Sequence, residues 1–148
     1  MSSAGIPIKA IYFVQGRGQL SQGDLQAHPE VLPTNSFEEF KLLARSRVAL
    51  WIDINAVGQV DTMWLGKSPQ RFYPVVLVGD GEWYCSFLRT LRYFEFEEPP
   101  YDCSSPAPGF SVNMQIGESG GGKGQGYKQT PTVRGILEIT DPLLESIR

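Results

Sequence analysis

Few residues in this 148-residue chain are of types and spacings that could do chemistry. The run GESGGGKG, Gly117–Gly124, fits the G-x-x-x-x-G-K spacing of a phosphate-cradling loop. Such a loop needs a hydroxyl after the lysine to hold Mg²⁺, and a following helix whose N-terminus faces the phosphates. Gly124 stands where that Ser or Thr belongs, and the QGYKQTP that follows is a poor helix start. The same run contains G-x-S-x-G at Gly117–Gly121, and His28, Asp53 and Ser119 follow an order that a serine nucleophile could use. A nucleophile needs rigid support, whereas Ser119 lies in the most glycine-dense part of the chain. Both runs read better as a flexible loop, and no catalytic residue is expected.

Metal chemistry is equally poorly supplied. A structural zinc site takes four N or S ligands, and the chain offers only Cys85, Cys103 and His28. No metal and no cofactor are expected. Two cysteines allow one intramolecular pairing, which would contribute on the order of 3 kcal/mol in an oxidising compartment. A Cys85–Cys103 disulfide and two independent thiols both stay open, because sequence does not show whether the Cβ atoms converge. Thirteen Lys and Arg against sixteen Asp and Glu leave a net charge of −3. That balance argues against a phosphate-tracking surface, so no nucleic-acid partner is expected. No apolar stretch approaches the roughly 18–20 residues that cross a bilayer. The start MSSAGIPIK lacks the apolar run of a secretory signal, which fits either a cytosolic N-terminus or a chain trimmed of its anchor.

The length suits one domain with a real core, taken as 1–148. Residues 1–35 read as an extended lead-in, 36–116 as the core, 117–129 as a Gly-rich loop and 130–148 as a C-terminal strand and tail. Sixteen Gly and eleven Pro cluster in three stretches read as loops: Gly16–Asn35, Glu98–Gly109 and Gly117–Gln129. Lys9–Val14 is a short strand candidate. Ser36–Ala44 follows Asn35, a good N-cap, with Phe37, Phe40 and Leu43 near helical spacing. Arg47–Ile54 alternates cleanly, Gly58 supplies a turn, and Gln59–Leu65 extends again; together they read as a β-hairpin. Tyr73–Val78 is apolar and fits a strand or the lead-in to a helix. In Gly81–Phe94, the spacing of Trp83, Phe87, Leu88, Leu91 and Phe94 predicts an amphipathic helix on the hairpin. Arg89 and Arg92 suit its C-terminus, and Glu95, Glu97 and Glu98 form a solvated acidic cluster beyond it. Phe110–Ile116 and Thr132–Thr140 read as a second antiparallel pair. Trp51, Trp64, Trp83, Tyr84 and Tyr93 are assigned to core and sheet-face packing. The sum is an α+β fold: a small, mostly antiparallel sheet under one main helix, with a short extra helix and a C-terminal strand.

Three phrases in order carry a resemblance: RVALWIDINAVGQVDTMWLGKSP, LRTLRYFEFEEPP and PGFSVNMQI. Over about residues 47–116 they resemble the C-terminal domain of TonB-type energy transducers. The matched positions are Ile52-Asp53, Gly58, Val60, Ser68-Pro69, Leu88–Phe96, Pro99, Gly109 and Phe110–Ile116. The family's Tyr-Pro before the first helix is absent, and Ser46 replaces its usual glycine. The resemblance implies a periplasmic, cell-envelope protein-binding module acting in transport, the soluble part of a membrane-anchored protein. Such a module captures an extended segment of an outer-membrane transporter by adding it to a free sheet edge, and transmits force from an inner-membrane proton-driven complex. The edge expected here is Phe110, Ser111, Val112, Asn113, Met114, Gln115 and Ile116. The resemblance leaves a homodimer open.

Two other readings compete with it. One is a related domain without energy coupling, serving as an interaction unit of an envelope assembly. The other is a small α/β nucleotide-binding enzyme, in which Lys9–Val14, Val48–Ile54 and Pro74–Val78 are parallel strands joined by crossover helices. That arrangement requires Gly58–Lys67 to be helical, and β-branched Val60 and Thr62 after a glycine turn argue against it.

Overall fold

In the computed structural model, residues 7–44, 48–61, 64, 74–79, 109–116, 121–127 and 129–146 are described. Strand β1, Ala10–Phe13, is buried at all four positions. Ala49–Asp53 and Val75–Val78 are buried just as completely. Strands without a wet face belong inside a sheet covered on both sides, which is the situation of parallel sheets. The pairing follows that rule. β1 runs parallel to β2, Val31–Thr34, on one flank and to β3, Ala49–Asp53, on the other. β4, Val75–Val78, continues the parallel set beyond β3. An antiparallel hairpin, β5 (Phe110–Ile116) and β6 (Gly121–Tyr127), completes a sheet of order β2-β1-β3-β4-β5-β6.

Each face has its own cover. Helix α1, Gln22–Ala27, crosses from β1 to β2, and α2, Phe37–Leu43, crosses from β2 to β3. Leu25 of α1 packs with Ala10, Tyr12 and Trp51, the face also covered by Val133, Ile136 and Leu137 of the C-terminal helix α3, Val133–Ser146. Phe40 of α2 packs on the opposite face with Ile11, Phe13, Leu50 and Ile52. Consecutive crossovers thus fall on opposite faces, as right-handed connections to opposite flanks of β1 demand. Local chemistry sets the helix ends. Ser21 Oγ accepts from the Asp24 amide at 3.1 Å, and Ser36 Oγ from the Glu39 amide at 3.2 Å. The helix of Ser36–Ala44 is therefore present, but Ser36 rather than Asn35 is its cap. Asp24 also reaches across to α3, where its Oδ2 accepts from the Val133 amide at 2.8 Å. Lys9 pairs with Asp141 at 3.1 Å further along that helix.

The structure corrects the α+β expectation: the sheet is dominated by four parallel strands, and the class is α/β. The Arg47–Leu65 hairpin is not formed, because β3 has parallel neighbours on both sides and Ile54–Gln59 winds into a 3-10 helix. The parallel pairing of strands within Lys9–Val14, Val48–Ile54 and Pro74–Val78, part of the arrangement set aside on the strength of Val60 and Thr62, is adopted, while residues 62, 63 and 65–67 of the expected helix Gly58–Lys67 lie outside the described residues. The lead-in 1–35 contains a strand–helix–strand unit; Pro33 is accommodated because β2 is an edge strand. The Gly-rich loop contributes strand β6 over Gly121–Tyr127. Of the expected strand Thr132–Thr140, Val133–Thr140 is the first part of α3, with Val133, Ile136, Leu137 and Thr140 buried at helical spacing, and Thr132 precedes the helix. Helix Gly81–Phe94, the Glu95–Glu98 cluster and both cysteines lie outside the described residues. Among those described, no helix is long and apolar enough to cross a membrane.

An aromatic stack anchors α2. Phe40 lies 5.3 Å from Phe13 and 6.0 Å from Phe37 between ring centroids, with Trp64 at 6.1 Å. Phe40 is fully buried. Phe40→Ala is expected to cost about 3–5 kcal/mol, read as a shift in the denaturant midpoint.

Candidate ligand-binding site

The carboxyl ends of β1 and β3 meet at the point where strand order reverses, the usual place for a crevice in an open α/β sheet. Asp53, the last residue of β3, is fully buried there. A buried carboxylate must be hydrogen-bonded to persist. Its Oδ1 accepts from the Tyr12 hydroxyl and, at 2.8 Å, from the Gln19 amide. Its Oδ2 accepts from the Asn55 amide at 3.1 Å, an Asx turn that ends the strand and starts the 3-10 helix. Tyr12 is held neutral: burial first, and then the hydrogen bond to Asp53, raise its phenol well above the ordinary value of 10.

The loop after β1 is fixed by side-chain amides. Asn55 Oδ1 accepts from the Gln15 amide at 2.9 Å, while Asn55 Nδ2 donates to the carbonyls of Gln15 at 2.7 Å and Arg17 at 2.9 Å. Gln15 Nε2 donates to the Asn35 carbonyl at 2.7 Å and to Gln59 Oε1 at 3.3 Å. Gly16 takes φ of 64°, a left-handed turn. Gly18 passes directly over the Tyr12–Asp53 pair: an added Cβ would lie 2.5 Å from both Asp53 Oδ1 and Val14 Cγ2.

Beside this loop, on the β2 side, lies a cavity of about 610 Å³ between α1 and the sheet. Tyr12, Val14, Leu20, Leu25 and Pro33 give it apolar walls. The Gly16–Gly18 loop, Ser21, Gln22 and Gln26 add polar groups. Helix α1 is six residues long and buries none of its residues completely, and its Gln22, Leu25 and Gln26 form one wall of the cavity.

The residues singled out from sequence do not assemble into a site. Ser119 lies outside the described residues, His28 faces Asp24 at 3.5 Å, and the oxygens of Asp53 are occupied by Tyr12 and two amides. Among the described residues, no three His, Cys, Asp or Glu gather as a metal site. Strand Phe110–Ile116 exists but is not a free edge: Phe110–Asn113 pair with β4 and the whole strand pairs with β6. Its ladder partner is Gly121–Tyr127, not Thr132–Thr140. Sequence reading missed Gly16, Arg17 and Gly18, whose one available signal was a G-x-G one residue after an apolar run. No protein-family model matches the chain, and neither a curated protein nor a solved structure does.

Because the folded state holds the Tyr12 phenol neutral, its contribution to stability is complete below pH 10 and is lost as pH rises above that value. Denaturant titrations from pH 8 to 11 are expected to show stability falling above about pH 10. Tyr12→Phe should flatten that fall, and an unchanged profile would place the phenol elsewhere.

Proposed function

We propose that the protein is a binding domain for a small organic molecule, held between α1 and the carboxyl ends of β1 and β2. The cavity carries this reading. Its volume of about 610 Å³ falls within the roughly 300–1,000 Å³ of small-molecule sites. It combines apolar walls with a few polar groups, the composition such sites share. Its loop is pre-organised by Asn55 and Asp53, so ligand entry does not bear the cost of ordering it. The described lining residues include no carboxylate, imidazole or thiol, and the one phenol is tied to Asp53. That set supports binding rather than turnover.

A fragment screen followed by backbone amide shifts tests this. Bound fragments are expected to move the amides of Gly16 to Gln26. Gln26→Trp, which places bulk at an exposed position on the cavity wall, should abolish those shifts without unfolding the protein. Fragments that bind only elsewhere would refute the reading.

A second reading keeps the mechanism that the TonB resemblance implies, capture of an extended transporter segment in the periplasm. One observation favours it: the outer side of β6 has no ladder partner among the described residues. An edge strand is a template for strand addition. The edge is then Gly121–Tyr127 rather than Phe110–Ile116. A titrated extended peptide is expected to shift the β6 amides first; shifts confined to β2 or none at all would remove this reading.

A further inference from the structure

Building on the cavity reading, we propose that the ligand is a small organic anion: an apolar ring or chain between α1 and β1, with its carboxylate, phosphate or sulfonate at Arg17. Arg17 is the one formally charged residue among those lining the cavity. It is exposed, and none of the ion pairs among the described residues includes it. In a chain of net charge −3, an arginine without an acid partner among the described residues is a local reversal of the field.

The backbone around Arg17 is held while its side chain is left available. Its carbonyl accepts from Asn55 Nδ2 at 2.9 Å. Two residues on, the Gln19 amide is anchored to Asp53. The guanidinium therefore extends from a fixed point, with a planar donor fork suited to two oxygens of one anion. Among the described residues, Asp53 and Asp24 do not compete for it. Asp53 is buried beneath Gly18 and accepts three hydrogen bonds, and Asp24 is engaged by His28 and the Val133 amide. Val14, Leu20, Leu25 and Pro33 supply the apolar contact for the rest of the molecule.

Two dyes sharing one ring system separate this inference from the reading beneath it. 1-Anilinonaphthalene-8-sulfonate carries the anion, and N-phenyl-1-naphthylamine lacks it. Both are expected to perturb the amides of Gly16 to Gln26 at one-to-one stoichiometry. Arg17→Gln should weaken the sulfonate about tenfold, the scale of a lost charge-assisted contact, and leave the neutral dye unchanged. If Arg17→Gln weakens neither dye, or weakens both equally, the anion inference fails while the cavity reading stands. If neither dye moves those amides in the wild-type protein, both fail.

Discussion

The carboxylate of Asp53 organises the end of the sheet at which the cavity opens. An ionisable group with no exposed surface has to find donors, and each donor it finds belongs to a different element. Tyr12 comes from β1, Gln19 from the loop before α1, and Asn55 from the turn after β3. Satisfying one group therefore fixes the relative position of three segments. Gly18 is the corollary, since only a residue without Cβ lies over the pair. Asn55 then extends the constraint, because its backbone serves Asp53 while its side chain holds Gln15 and Arg17.

That network also explains why the chain turns back as it does after β3. The run beginning at Arg47 has the alternation of a half-wet strand, and its Asn-Ala-Val-Gly has the look of a hairpin turn. The decisive fact is that Ala49, Trp51 and Asp53 are as buried as Leu50 and Ile52. With both faces covered, β3 lies inside the sheet, and its two flanks are taken by the parallel strands β1 and β4. The Asx turn at Asp53 starts a 3-10 helix, Ala56 and Val60 pack under the sheet, and the chain reaches β4 in parallel.

Part of this was legible from the residues alone. β1 and α2 stood out by composition and helical spacing, and β3 and β5 by alternation, while the apolar run at β4 fitted a strand or the lead-in to a helix. The near-continuous apolar runs AIYF, ALWI and VVLV were the signal for a parallel sheet, and period-2 alternation within one of them obscured it. α1 and β2 were hidden because a six-residue helix shows hardly two turns of periodicity and β2 contains a proline. α3 was hidden because TVRGILEIT is rich in β-branched residues with a glycine near its start. Its helical state rests on tertiary packing of Val133, Ile136 and Leu137 and on caps from Thr132, whose Oγ1 accepts from the Gly135 amide, and from Asp24 of another helix. The cavity was illegible in principle, being a gap between elements.

The two faces of the sheet make that last point concrete. On the α2 side the crossover brings Phe37 and Phe40, and Trp64 joins them, so β1 and β3 are sealed by two stacked rings and an edge-on indole. On the α1 side the crossover brings only Leu20 and Leu25 to the sheet, and α3 packs along it with Val133, Ile136 and Leu137. Both faces of β1 are thus buried, and the gap on the α1 side lies toward its carboxyl end, beside Val14 and the Gly16–Gly18 loop. Tyr12 belongs to that side, and its hydroxyl is occupied by Asp53. What remains open beside it is bounded by a loop whose backbone is fixed at Gln15, Arg17 and Gln19. A gap with mobile walls would collapse on itself, whereas one edged by a pinned loop persists as a volume that something else can fill.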